Sequence, residues 1–115
     1  MKVAFATVDG ERINDDHFGQ SPMFVVLKLD GSKVIEKEVR KNPYADSHIH
    51  ARVDEILEVV GDCKVWVGKS MGKGSMKKLV ELGYHPILTE AETLNEALSD
   101  VLKRLSLDGK LNTQT

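Results

Sequence analysis

The sequence has one cysteine, no long apolar run and no excess of either charge, and each lack removes a class of protein. A lone Cys63 among 115 residues can neither close an internal disulfide nor build a multi-thiolate metal site, and it favours a reducing compartment. No window approaches the roughly 20 apolar residues of a membrane span. The opening Met1-Lys2-Val3-Ala4-Phe5-Ala6 is too short an apolar stretch for a secretory signal, so the expectation is a soluble, cytoplasmic protein. With 16 basic against 18 acidic residues, no global field draws the chain to nucleic acid or anionic lipid, and any anion site must be local. What is present suits one domain: 115 residues, 41 % of them hydrophobic, are enough for a single core, and neither repeat nor linker is visible.

Along the chain, Val3-Ala4-Phe5-Ala6-Thr7-Val8 is short, almost continuously apolar and β-rich, as in a strand covered on both faces. Residues 9–22 hold Gly10, Asn14, His17, Gly19 and Pro22 without apolar periodicity, which predicts a long loop of the functional or mobile kind. Met23–Leu29 and Lys33–Val39 flank Asp30-Gly31-Ser32, a β-hairpin in which Gly31 supplies the positive φ of a tight turn. Ile49, Val53, Ile56, Leu57 and Val60 share one helical face, predicting a helix over about residues 47–60 with Asp46 or Ser47 as cap and Gly61 as stop. A strand Lys64–Gly68 then leads through Gly72-Lys73-Gly74 into a second helix ended by Gly83, and a brief strand Pro86–Leu88 follows. Thr93 and Glu96 form a capping box ahead of Leu94, Ala97, Leu98, Val101, Leu102 and Leu105, the last helix. The domain is expected to span residues 1–105, with 106–115 a flexible tail. The order β-β-β-α-β-α-β-α predicts a mixed five-stranded α/β sheet with helices on both faces, in the outline of a ribonuclease H-like fold.

In such sheets ligands gather beyond the carboxyl ends of the parallel strands, where this order places Asp9-Gly10 and the segment from Gly68 to Ser75. The glycines at 68, 72 and 74 let backbone approach a ligand, and a helix N-terminus with Lys69, Lys73, Lys77 and Lys78 nearby suits an anion. The spacing lacks the Gly-Lys-Ser/Thr of a phosphate-binding loop, and a plain strand-to-helix turn accounts for the glycines equally well. His17, on a loop bracketed by glycines, can reach a metal without opposing a core, with Asp9, Asp15 or Asp16 as orienting groups and Phe18 as anchor. A surface or capping role remains open for it. His48 and His50 share a face only in extended backbone, so single participation suits them better than a chelate. Cys63 reads as a small buried hydrophobe and His85 as structural, while Met71 and Met76 flank the glycine loop and could touch a ligand. Asp9 alone does not make a two-metal nuclease, since Lys64-Val65-Trp66-Val67 brings no carboxylate. Glu55 and Glu58 fit a solvated helix face, and no hydrolase elbow or zinc-protease helix occurs.

Several spaced segments together resemble a known family: Met1–Thr7, His17-Phe18-Gly19-Gln20-Ser21-Pro22-Met23-Phe24, Arg40-Lys41-Asn42-Pro43, Val67–Met76 and Gly83-Tyr84-His85-Pro86-Ile87. They are similar to the dinitrogenase iron-molybdenum cofactor biosynthesis family, which includes NifX, the core of NafY and the C-terminal domain of NifB. The resemblance covers about residues 1–105. It implies a non-enzymatic carrier of an iron-sulfur or iron-molybdenum cluster precursor that works with cofactor-assembly or nitrogenase-like acceptor proteins. His17 would be the foremost cluster ligand, with Phe18, Gly19, Gly68, Ser70, Met71, Gly72, Gly74 and Ser75 around the cluster and His48 and His50 as further metal candidates. Many relatives carry a more apolar, glycine-rich loop where this chain has Gly68-Lys69-Ser70-Met71. The competing expectation is a small-anion or nucleotide-binding regulatory module that uses the same loop without metal.

Overall fold

The computed structural model describes residues 1–45 and 52–107. Its elements are β1 (Lys2–Thr7), a single 3-10 turn (Phe18–Gln20), β2 (Met23–Asp30), β3 (Lys33–Lys41), α1 (Val53–Val60), β4 (Val65–Gly68), α2 (Lys73–Glu81), β5 (His85–Leu88) and α3 (Leu94–Leu107). The strands form one sheet in the order β3-β2-β1-β4-β5. β1 pairs antiparallel with β2 and parallel with β4, and β4 pairs parallel with β5. The expected mixed five-stranded α/β domain is therefore borne out. The hairpin turns where expected, with Gly31 at φ 60°, a value that side-chain-bearing residues adopt only at a cost.

Alternation along the strands sorts the core into two layers. Val3, Phe5, Val25, Leu27, Val65 and Val67 meet Leu94, Ala97, Val101 and Leu105 of α3 on one face. Ala4, Ala6, Phe24, Val26 and Trp66 meet Ile56 and Val60 of α1 and Leu79 of α2 on the other. Helices thus cover both faces. Thr93 caps α3 as expected, with the Glu96 amide donating to Thr93 Oγ1 at 3.2 Å, but the Glu96 carboxylate accepts the Thr93 hydroxyl at 3.0 Å, a side-chain version of the expected box; the helix runs to Leu107, past the expected end of the domain.

The start of α1 differs from expectation. α1 begins at Val53, with Arg52 in extended backbone before it. The expected caps Asp46 and Ser47 lie outside the described residues; Glu55 reaches back to accept the Arg52 amide at 2.9 Å, the carboxylate half of a capping box. Gly61 closes α1 in right-handed helical backbone, while Gly83 after α2 takes φ 90°, the usual glycine stop. No helix among the described residues is long and apolar enough to cross a membrane.

Candidate functional site

The loop after β1 is fastened at many points. Val8 and Asn14 donate backbone hydrogen bonds to Arg12 and Ala6, Ile13 to Glu92, and Leu94 to Glu11, each within 2.9 Å. Ser21 is fully buried, and its hydroxyl lies 2.8 Å from the carbonyls of both Thr7 and Met23, donating to one at a time. Asn42, at the end of β3, donates from Nδ2 to the carbonyls of Gly19 (2.9 Å) and Ser21 (2.8 Å) and accepts the Tyr44 amide at 3.0 Å. Buried polar groups joined in this way rigidify the segment they hold. Sequence reasoning missed Asn42 as a site element. Its tertiary partners are some 20 residues away, beyond the reach of local sequence signals.

The loops after β1 and β4 converge as expected. The Phe18 amide donates to the Ser70 carbonyl at 2.8 Å, a bridge between His17 and Ser70 in parallel register. Phe18 then folds inward over small residues: a Cβ placed on Gly68 would lie 3.4 Å from its ring and 3.8 Å from Ala6 Cβ. Its ring stacks on Phe24 at 4.7 Å and on Trp66 at 5.1 Å, and Trp66 donates from Nε1 to the Cys63 carbonyl at 2.9 Å. The aromatic stack fixes the floor of the loop and leaves His17, half-buried, at its rim.

A pocket of about 230 Å³ opens beside this rim. Val53, Ile56, Trp66, Met71 and Leu79 give it apolar walls, Phe18, Gly19 and Gly72 part of its lining, and His17, Gln20 and Ser75 its polar groups. Of the residues expected to meet a ligand, His17, Phe18, Gly19, Met71, Gly72 and Ser75 line this cavity. Gly68 lies beneath Phe18, and Ser70 meets the imidazole instead, its Oγ 2.6 Å from His17 Nδ1. A Cβ on Gly74 would have nothing within 4 Å, so no packing among the described residues demands a glycine there. Val53, Ile56 and Leu79 were not singled out from the sequence because helical periodicity marks a pocket wall and a core face alike. His48 and His50 lie outside the described residues.

The charged groups are arranged differently from expectation. Lys69 is largely buried at its side chain and bridges Asp15 at 2.6 Å and Glu92 at 2.8 Å. Its ammonium is thus already shared by two carboxylates, holding Asp15 below the ordinary carboxylate range. Lys78 pairs with Asp54 at 2.8 Å. Asp9 Oδ1 accepts the amides of Glu11 and Arg12, which lowers its pKa, and Asp16 Oδ1 accepts the backbone amide of His17 at 2.7 Å. The hydroxyl of Ser70 touches Nδ1 of the imidazole. Cys63 is fully buried, and burial pushes its thiol up to about 12, far from the thiolate that binds metal. α2 starts at the pocket without a side-chain cap, since Gly72 precedes it. Its first amides therefore keep their donor capacity at the lip. Among the described residues, no three or more histidine, cysteine or acidic side chains come together in a metal-binding group.

The family model for dinitrogenase iron-molybdenum cofactor matches residues 1–104. Solved structures share the architecture. A Methanocaldococcus jannaschii protein provisionally named a dinitrogenase has 16 % identity and a TM-score of 0.65, over 96 % of this chain and 90 % of that one. A Thermotoga protein provisionally named NifB has 21 % identity and a TM-score of 0.64, over 99 % of this chain and 96 % of that one. At such identities the likeness speaks for the fold. No curated protein matches the sequence.

Proposed function

The chain belongs to the dinitrogenase iron-molybdenum cofactor family, and from that premise we propose that it holds a metal-sulfur cluster or its precursor during metallocofactor assembly and passes it on without catalysing a reaction. One observation carries the reading: among the described residues one imidazole, His17, stands at the rim of a largely apolar pocket that the uncapped start of α2 also lines. A soft, sulfide-rich surface packs well against Trp66 and Met71, and amides at a helix start favour the negative charge of such a cargo. One imidazole tethers a cargo without caging it, and that suits a protein that must give it up. The partners would be the cluster and the proteins that supply and accept it.

Of the lysines expected to serve the anion-binding alternative, Lys69 is engaged by Asp15 and Glu92 and Lys78 by Asp54. Anaerobic titration of the apo-protein with iron-molybdenum cofactor and with an iron-sulfur precursor, read by absorbance and thermal stability beside His17→Ala, tests the proposal. Saturable uptake near one cluster per chain, lost in the variant, is the expected result. Absence of uptake by folded wild type would rule the carrier function out, and stabilisation by inorganic phosphate with no effect of either cluster would restore the alternative.

A further inference from the structure

We propose that Ser70 is a positioning residue that directs metal ligation to Nε2 of His17; this rests on the reading of His17 as a ligand. Ser70 Oγ lies 2.6 Å from Nδ1, so a metal at Nδ1 would have to displace the hydroxyl, whereas ligation through Nε2 leaves that contact intact. The hydroxyl is not easily displaced. The backbone of Ser70 is tied to the same loop through its carbonyl, which accepts the Phe18 amide at 2.8 Å, and Phe18 is anchored in turn by its stacking on Phe24 and Trp66. Both ends of the side-chain contact therefore sit on fixed backbone.

The choice of a hydroxyl has chemical content. A serine oxygen can donate to an unprotonated Nδ1 or accept from a protonated one. When Nε2 gives its lone pair to a metal, the neutral ring carries its proton on Nδ1 and donates it to Ser70 Oγ. This is the role that a carboxylate or carbonyl fills behind many ligating histidines. A carboxylate there would add charge and make the imidazole a stronger ligand. The neutral hydroxyl fixes ring orientation and tautomer while leaving the bond weaker, as release of a cargo requires. Asp15, one of the carboxylates expected beside the ring, pairs with Lys69.

The test uses full-length protein labelled with ¹⁵N-histidine and titrated with Zn²⁺ alone, a diamagnetic ion that seeks imidazole nitrogen. The side-chain nitrogens of His17 are followed by NMR in wild type, Ser70→Ala and Ser70→Thr. In wild type the Nε2 resonance should move on zinc addition while Nδ1 keeps its proton. Ser70→Thr should behave likewise, and Ser70→Ala should lose about tenfold or more in affinity at His17, the usual range for loss of such a partner, with ligation divided between the two nitrogens. Ligation through Nδ1 in wild type, or a Ser70→Ala protein with unchanged affinity and unchanged ligating nitrogen, would overturn the role of Ser70 and leave His17 a ligand. A His17 indifferent to zinc in all three proteins would overturn that ligand reading as well.

Discussion

On the α3 face, β1 contributes Val3 and Phe5 to a layer closed by Leu94, Ala97, Val101 and Leu105; on the α1/α2 face, the intervening residues of the same strand are Ala4 and Ala6. The large residues fill one side with aliphatic packing. The alanines leave a shallow bed on the other, which Gly68 extends and into which a loop residue, Phe18, can fold. The period of two along a strand thus separates stability from recognition. The solid face is held chiefly by packing, with Thr89 Oγ1 donating to Asp100 of α3 at 2.8 Å, while the site face is held at its margins by polar clamps. One is Asn42 on the His17 loop, and the other is Arg40, which binds the Asp62 carboxylate through both terminal nitrogens at 2.6 and 2.9 Å and donates to the Val59 carbonyl at 2.9 Å.

The strongest way to break this division is Leu105→Ala on the solid face. Leu105 is fully buried, and its truncation should cost about 2–5 kcal/mol in urea unfolding, with cluster uptake per folded molecule unchanged. Asn42→Ala should act on the site face, leaving the Gly19 and Ser21 carbonyls without their donor at a cost of about 1–3 kcal/mol for each buried group not rescued by water. Amide exchange should accelerate at residues 18–21 and stay slow in α3. Equal acceleration in both regions would mean that the two faces are not separable.

Gly74→Ala sharpens the same contrast with a smaller effect. Among the described residues no atom opposes a methyl group there, and a helical glycine is less favourable than alanine, so thermal unfolding should show a gain of up to about 1 kcal/mol. Loss of cluster uptake despite that gain would assign the missing side chain to close approach of the cargo. The smallest effect concerns pH. Arg40, hydrogen-bonded to Asp62, holds that carboxyl well below the usual range, so the clamp contributes fully above the unfolded value near 4. Its contribution falls away as pH drops toward the depressed folded value. Because the Asp62 side chain is 45 % exposed, screening keeps the contribution modest. Asp62→Asn should flatten the acid side of the stability profile without altering it at pH 7 to 8 relative to its own plateau.

The strands and α3 were legible because their signals are local: β-rich apolar runs, a glycine in the hairpin turn, and the Thr93–Glu96 box. The convergence of the 9–22 and 69–72 loops was also legible, since it follows from strand order. The fastening of the first loop was not. Asn14, Ser21 and Asn42 are ordinary loop residues by composition, and their partners are set by tertiary placement. The state of Lys69 was hidden for the same reason: it stands 54 residues from Asp15, and only the folded sheet brings them together. His17 emerged from its loop context and from the family resemblance, but the contact of its ring with Ser70 required the coordinates.

The account stands most directly on His17 as the protein's bond to its cargo. Pulsed electron paramagnetic resonance of the cluster-loaded, reduced protein, prepared with ¹⁵N-histidine, reads that bond through nuclear coupling to the cluster spin. The account predicts a ¹⁵N coupling of directly ligated strength in wild type that is absent from any cluster retained by His17→Ala. A loaded wild-type cluster with no histidine coupling, or a coupling that survives in His17→Ala, would contradict it.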